Sequence, residues 1–137
     1  MTVADETLLA RFNGSPGADP VAISAFESAS GISLPVEYKK FLLRTNGGEG
    51  FAGNSYLILW RIEELKEAND ACEVARCVPG LLFFGSDGGG EAMAFDCRNS
   101  SMAVVSVPFI GMEFDVARSI SPDFDGFLAA MACADYS

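Results

Sequence analysis

The sequence contains no histidine, the side chain that most often carries acid–base catalysis and metal binding near neutral pH. Ser-His-Asp and Cys-His arrangements for nucleophilic catalysis are therefore excluded. Basic residues are also scarce. The chain has 9 Lys and Arg but 19 Asp and Glu, which gives a net charge of −10. Such a chain should repel nucleic acids and anionic membrane surfaces, and it should attract a basic partner.

Long hydrophobic runs are absent as well. No apolar stretch approaches the roughly 20 residues of a membrane-spanning helix. The first residues, Met1 to Phe12, carry acidic groups where a secretory signal would be basic. We therefore expect a soluble, cytoplasmic protein that makes no contact with a membrane.

Cysteine pairs with metal-site spacing are missing too. The four cysteines, Cys72, Cys77, Cys97 and Cys133, include no Cys-x-x-Cys pair, so a zinc ribbon or a redox motif is not expected. In the cytoplasm they would stay reduced and act as small apolar residues. The sequence thus predicts neither a metal nor a cofactor.

What is present is enough apolar material for one core. Half of the 137 residues are hydrophobic, which fits a single folded domain over residues 1–137. In the first part, hydrophobic spacing and turn residues predict helices. These are a short helix around Leu8, Leu9 and Phe12, a second opened by Asp19-Pro20 and closed by Gly31, and a third from Pro35 to the stop at Asn46-Gly47-Gly48.

Later segments alternate between strand and helix patterns. We predict a strand over 56–60, a helix over 61–76, strands over 81–85, 91–96, 103–107 and 113–120, and a last helix capped by Ser121-Pro122. The connections between the late strands are short and turn-like, which suggests an antiparallel meander. Grouped helices and grouped strands indicate an α+β fold rather than alternating βαβ units.

The stretch FFGSDGGGEAMAFD, from Phe83 to Asp96, is the most suggestive local motif. A phosphate-binding P-loop would need Lys and then Ser or Thr after its last glycine, but Glu91 stands there and a strand follows. A dinucleotide site lacks its helix, and a calcium loop lacks its alternating oxygen ligands. The motif therefore predicts a hairpin turn, with Asp87 and Glu91 exposed at its tip.

Three strings in order resemble one known family. GISLPVEYKKFLLRTNGGEG, FFGSDGGGEAMAFD and SISPDFDGFLAAM resemble segments of the SUKH superfamily, the Smi/Knr-type cell-wall regulator-like domains, over about residues 21–131. The family usually has a capping Ser, Thr or Asp where this chain has Trp60-Arg61, so the start of the following helix is not defined by the resemblance.

The resemblance implies an α+β fold, with a twisted, mainly antiparallel sheet of about six strands flanked by helices. The matching residues are expected to determine the fold; they are Leu34, Pro35, Tyr38, Phe41, Leu42, Gly47, Gly48, Gly85, Gly90 and Phe95. Bacterial members are largely immunity proteins that bind and block a toxin domain, often a nuclease, and other members are regulatory or scaffold modules.

The leading hypothesis is therefore a non-enzymatic immunity protein that binds a basic toxin domain and has no direct contact with nucleic acid. Its expected contact residues lie in acidic, glycine-flanked loops: Glu49, Phe51, Asp87, Glu91, Glu113 and Asp115. Two alternatives stay open. One is a regulatory or scaffold module that binds a peptide or small ligand in a pocket beside the sheet. The other is a hydrolase that uses a pair of carboxylates.

Overall fold

The computed structural model describes residues 11–52, 55–98 and 100–133. The strands are β1 (Arg11–Gly14), β2 (Gly48–Ala52), β3 (Ser55–Leu59), β4 (Leu81–Ser86), β5 (Glu91–Asp96), β6 (Val104–Pro108) and β7 (Arg118–Ser121). The α-helices are α1 (Pro20–Ser30), α2 (Val36–Arg44), α3 (Leu65–Ala71), α4 (Val74–Cys77) and α5 (Phe124–Cys133), with 3₁₀ turns at Ile62–Glu64 and Phe114–Val116. None of the helices in this described part has the length and apolar character that a membrane crossing requires.

The seven strands form one sheet in sequence order, and each neighbouring pair is antiparallel. This meander with flanking helices confirms the predicted α+β class, with one strand more than the expected six. The hairpin predicted between Phe83 and Asp96 is also confirmed, because β4 and β5 pair directly across it.

The two first strands differ from the sequence prediction. Phe12, assigned to an N-terminal helix, lies in β1, and the remainder of that predicted helix falls outside the described residues. The segment that was expected to be a loop around Glu49 is strand β2. Its glycines allow the strands to approach closely, since a Cβ at Gly48 (φ +138) would stand 2.4 Å from the carbonyl oxygen of Asn13.

The first two helices begin and end where their sequence signals predict. Asp19 caps α1 by accepting a hydrogen bond from the Val21 N–H at 2.9 Å, and Gly31 ends it with φ +73. Helix α2 follows Pro35 and buries one stripe of its surface against the sheet, formed by Tyr38, Phe41 and Leu42.

The segment 61–76 is not the single continuous helix that the sequence predicts. It is divided into a 3₁₀ turn, α3 and α4, and Glu73 between α3 and α4 adopts the left-handed conformation with φ +55. Trp60 and Arg61 have no side-chain oxygen that could cap the start of the 3₁₀ turn at Ile62, and Asn46 from another segment supplies the cap. Asn46 Oδ1 accepts the Ile62 N–H at 2.9 Å, and Asn46 Nδ2 donates to Glu63 at 2.7 Å.

The Asn69 side chain on α3 makes the hydrogen bonds to β4 that a neighbouring strand would otherwise make. Strand β3 pairs with β4 only near Gly85 and Ser86 before it turns away. Beyond that point the Asn69 amide donates to the Phe83 carbonyl at 2.9 Å, and its oxygen accepts the Phe83 N–H at 2.8 Å. This side chain therefore satisfies the backbone of a buried strand and attaches α3 to the sheet edge.

The strand predicted over 113–120 is also shorter than expected. Its first half is the 3₁₀ turn Phe114–Val116, and only Arg118–Ser121 pairs with β6. Ser121 belongs to β7, and the cap of α5 is Asp123, whose Oδ1 accepts the Gly126 N–H at 2.7 Å.

The sheet separates two hydrophobic clusters. The helix-side cluster packs α1, α2 and α5 on one face; its largest members are Tyr38, Phe41, Phe84, Phe95, Phe124 and Phe127. The outer cluster lies on the other face of β4–β6, where α4 and the β6–β7 connection cover it; its members are Val74, Val78, Leu81, Phe83, Ala92, Ala94, Val105 and Val107. Trp60 is half-buried and packs against both clusters.

Candidate partner-binding surface

The outer face of β2 and β3 carries an exposed group of side chains. Glu49 and Phe51 are two residues apart in β2 and therefore share a face, and their register partners in β3 are Ile58 and Tyr56. The opposite face of the same strands is buried in the helix-side cluster through Ala52, Leu57 and Leu59. On the outer side Glu49 is exposed, and Phe51 keeps 38% of its surface exposed.

Tyr56 holds the two predicted residues of β2 in place. Its hydroxyl donates to Glu49 Oε2 at 2.5 Å, and its ring meets the Phe51 ring edge-on, with centroids 5.3 Å apart. The hydrogen bond to the Glu49 carboxylate raises the pKa of Tyr56, so the hydroxyl stays protonated and remains a donor. Sequence reasoning missed Tyr56, although Tyr56 and Ile58 alternate with buried leucines, a pattern that places both on one face.

Asp87 shapes the β4–β5 hairpin with its own side chain. Its Oδ1 accepts the Gly89 N–H at 2.8 Å and the Glu91 N–H at 3.2 Å, while Ser86 Oγ accepts the Gly88 N–H at 3.0 Å. Gly88 has φ +80, a conformation that glycine adopts without strain. Asp87 is thus half-buried and structural as well as charged, whereas we had expected it to be exposed at the tip.

The hairpin and the outer face of β2–β3 form one continuous surface. A Cβ at Gly88 would lie 2.9 Å from Cδ2 of Tyr56 and 3.7 Å from Cδ1 of Ile58, so the turn packs directly on β3. Four of the six predicted residues therefore belong to the hairpin and the strands beside it: Glu49, Phe51, Asp87 and Glu91. Glu91 is half-buried rather than exposed at the tip. It alternates with Ala92 of the outer cluster, so its side chain lies toward the opposite face from Glu49 and Phe51. We call these four residues, with Tyr56, the acidic surface.

Glu113 and Asp115 lie elsewhere, in the connection between β6 and β7. Both are exposed, and the connection runs over the outer cluster. Phe114 packs beneath Arg98, whose guanidinium carbon is 4.2 Å from the ring centroid. Arg98 follows the end of β5 that is opposite Glu91, about 17 Å away along the strand. Asp115, which adjoins Phe114, is therefore remote from the hairpin.

The ion pairs that the described side chains form do not include the carboxylates of the acidic surface. Ion pairs join Glu27 to Lys39, Glu64 to Arg61, Asp70 to Lys66, Glu73 to Arg76 and Asp96 to Arg98. Across residues 11–52, 55–98 and 100–133, none of the ion pairs involves Glu49, Asp87 or Glu91.

The described thiols show little sign of reactivity. Cys72, Cys77 and Cys97 are free and half-buried. Burial raises the pKa of Cys97 to about 11 and also raises the pKa of Cys72, so both are protonated at neutral pH. Within the described residues, no three His, Cys, Asp or Glu side chains are grouped as metal ligands.

A second feature is an apolar cleft of about 350 Å³ between α1, α3 and the start of β4. Its wall is mainly hydrophobic, and the ion pair between Lys66 and Asp70, at 2.6 Å, lies among the lining residues. The apolar lining residues are Phe26, Ile32, Leu65, Val74, Leu81 and Leu82. None of the six predicted contact residues lines it.

Most residues of the three resembling strings serve the fold. Leu34, Tyr38, Phe41, Leu42 and Phe95 are buried. Gly47 has φ +79, and a Cβ there would stand 2.6 Å from the Leu59 carbonyl oxygen. Gly90 is different, because a Cβ there would meet nothing within 4 Å.

Two comparisons with known proteins agree with this architecture. The uncharacterized protein YnaB of Bacillus subtilis (strain 168) is 41% identical over 61 residues, which is 44% of this chain and 42% of that protein. The chain therefore matches less than half the length of this relative. The SMI1/KNR4 family (SUKH-1) matches residues 17–130, close to the span of the resemblance. Since that match covers most of the chain and all but the last residue of the three strings, the chain belongs to the SMI1/KNR4 family (SUKH-1).

Proposed function

We propose that this chain is a non-enzymatic, cytoplasmic immunity protein that binds and neutralises a basic bacterial toxin domain, for which a nuclease is the leading class. Membership of the SMI1/KNR4 family supports a binding role. The net charge of −10 supports a basic partner rather than a nucleic acid or an anionic membrane.

The observation that carries the proposal is the acidic surface. None of the ion pairs between described side chains involves Glu49, Asp87 or Glu91, and Tyr56 holds Glu49 and Phe51 in place. Carboxylates held in place, such as those of Glu49 and Asp87, speed the encounter with a basic groove and pair with its cations at a small ordering cost. In a nuclease these carboxylates would occupy the positions of substrate phosphates.

A binding role without catalysis fits the side chains available. The chain has no histidine, and burial raises the pKa of two of its thiols above their ordinary value. Asp87 is committed to the hairpin through two backbone N–H groups, and Glu49 to Tyr56. A carboxylate hydrolase stays a minor alternative, and turnover of generic ester or glycoside substrates by the purified chain would establish it.

The test uses the toxin domain that this proposal predicts in the reading frame next to the gene for this chain. Calorimetry measures its affinity for the wild type and for Glu49→Gln/Asp87→Asn/Glu91→Gln. These substitutions remove three charges, and each new side chain keeps an oxygen acceptor, so the hairpin bonds to Asp87 and the Tyr56 bond to Glu49 can persist. We expect the triple variant to bind about tenfold more weakly or worse at low salt, with less protection from the toxin.

The matched control is Glu37→Gln/Glu67→Gln/Asp115→Asn, which removes the same charge from α2, α3 and the remote end of the β6–β7 connection. Measured beside the first variant at physiological ionic strength, its affinity should stay within about twofold of the wild type, since charges outside the contact are screened beyond roughly 8 Å. Equal losses in both triple variants would mean that net charge, and not the acidic surface, determines binding.

The apolar cleft favours a second candidate function, a regulatory or scaffold module that binds a peptide or small ligand. Its volume of about 350 Å³ lies within the range of ligand sites. Ile32→Trp would fill the cleft from its half-buried rim. If the second function is right, this variant abolishes binding of the physiological partner and salt has little effect, whereas under the first function it binds like the wild type.

A further inference from the structure

Ile110 is the most exposed large hydrophobic residue in the described chain, with 92% of its surface accessible. It lies at the tip of the turn that follows β6, in the sequence Pro108-Phe109-Ile110-Gly111. An isolated exposed apolar residue is common on protein surfaces and needs no explanation in itself. Three further observations distinguish this one.

First, the turn beneath Ile110 is rigidly held. The Phe109 N–H donates to the Gly90 carbonyl at 2.9 Å, and the Phe109 ring packs edge-on against Phe83, with centroids 6.1 Å apart. Met112 on the other side packs against the outer cluster, and Gly111 turns the chain with φ +74. The side chains on both sides of Ile110 are thus packed against the outer cluster, while Ile110 itself faces solvent. The turn would therefore lose little conformational entropy when a partner contacts Ile110.

Second, the turn adjoins the acidic surface. Gly90, which bonds to Phe109, is the last glycine of the hairpin shaped by Asp87, and Glu91 pairs in register with Pro108. A chain of contacts runs from Phe51 and Tyr56 through the hairpin glycines to the base of Ile110. An apolar tip beside fixed carboxylates matches the arrangement of interaction hot spots, in which an anchor is surrounded by polar groups.

Third, the surrounding charge selects the occupant. Asp87 and Glu91 belong to the hairpin that bonds to this turn, and Glu113 follows Ile110 by three residues; all three are acidic. Two copies of this chain joined through Ile110 would bring these carboxylates together, and an anionic lipid surface would repel them. A partner pocket that is apolar at its centre and bordered by Lys or Arg is complementary on both counts.

We propose that Ile110 is the apolar anchor of the toxin interface and inserts into a hydrophobic pocket whose border is basic. This inference rests on the proposed function and extends it, because it adds to the acidic surface a contact whose strength is insensitive to salt. The acidic surface then governs the rate of encounter, and Ile110 governs the lifetime of the complex.

The experiment compares Ile110→Ser with Val21→Ser in binding to the same toxin domain. Val21 is 73% exposed but lies in the first turn of α1, on the helix side of the sheet. We expect Ile110→Ser to raise Kd about tenfold or more, mainly through faster dissociation, and Val21→Ser to leave Kd within twofold. Ile110→Val should keep most of the affinity. The loss in Ile110→Ser should persist at 0.5 M NaCl, where the effect of the charge variants shrinks.

The outcomes separate the inference from the function beneath it. If the wild type binds the toxin domain and Ile110→Ser binds equally well, the inference fails and the proposed function stands. If the wild type leaves the toxin domain free and active, both fail. A wild-type dimer in ultracentrifugation that Ile110→Ser dissociates, or wild-type binding to phosphatidylcholine vesicles that Ile110→Ser loses, would assign the residue to another occupant and overturn the inference.

Discussion

Gly85 and Gly90 are five positions apart in the same hairpin, yet their surroundings impose different demands. A Cβ at Gly85 would stand 2.3 Å from the Ile58 carbonyl oxygen, a contact that backbone atoms cannot relieve without moving a strand. Gly90 has open space around it and does not adopt a positive φ. The requirement for glycine at position 85 therefore comes from the close approach of β3 and not from the turn.

Gly85→Ala should accordingly lower the free energy of unfolding by about 2 kcal/mol or more, because β3 must shift away from β4. Gly90→Ala in the same hairpin should change it by less than about 0.5 kcal/mol. Urea denaturation followed by circular dichroism measures both. Similar losses for the two variants would show that the hairpin, rather than the β3–β4 approach, is the sensitive feature.

At the scale of the element, Asn69 shows how a helix can complete a sheet. Strand β3 turns away after Leu59, and the backbone of Phe83 would otherwise be buried without partners. The Asn69 side chain supplies one donor and one acceptor with the spacing of a neighbouring strand. The position of α3, and with it one wall of the apolar cleft, depends on these two bonds.

Asn69→Ala should therefore lower the free energy of unfolding by about 2–3 kcal/mol, since two buried backbone groups lose their partners. It should also accelerate hydrogen exchange of the Phe83 amide. Asp70→Ala is the neighbouring control, because its ion pair with Lys66 is mostly exposed and should contribute less than about 1 kcal/mol. Unchanged protection of the Phe83 amide in Asn69→Ala would contradict this role.

The elements that the sequence predicts well are those whose signals are local. The cap of α1 at Asp19, its end at Gly31 and the apolar strand β5 are each written in a few adjacent residues. Strand β2 carries no such signal, because its glycines resemble a loop and its pairing depends on β1 and β3. The break at Glu73 likewise has no local signal, because neither glycine nor proline stands there and the residue still adopts φ +55.

The residues of the candidate site likewise divide into those that local sequence signals identify and those that only the fold identifies. Acidic residues beside glycines pointed to Glu49 and Asp87, but sequence spacing cannot measure the distance between them, and Asp115 lies at the remote end of β5. Tyr56 and Ile110 were missed because their roles depend on exposure. An apolar side chain in a strand or a turn is expected to be buried, and only the fold shows that these two face outward.

For the whole molecule, the excess of acid makes stability depend on pH. The Arg98 guanidinium, with a backbone N–H, holds the pKa of Asp96 below its ordinary value of 3.8. A carboxyl with a lowered folded-state pKa adds stability above its unfolded pKa, and this stability is lost as the pH falls through the folded pKa. The remaining acids, at a net charge of −10, repel one another and gain from protonation in the same range, which offsets part of the loss from Asp96.

We therefore expect the melting temperature to change little between pH 7 and pH 5 and to fall below about pH 4. Asp96→Asn should lower the free energy of unfolding at pH 7 by about 1 kcal/mol, because Arg98 is half-exposed and solvent screens the pair. The variant should also show a shallower loss below pH 4. Parallel pH profiles for the variant and the wild type would rule out this source of acid sensitivity.

Trp60, which packs between the two hydrophobic clusters, is the only tryptophan of the chain. Its indole emission therefore reports on both faces of the sheet from a single chromophore. A red shift would follow the loosening of either cluster, while far-ultraviolet ellipticity follows the helices and strands. If the two signals coincide during unfolding, the two clusters unfold as one cooperative unit. The measurement needs no label and no introduced probe.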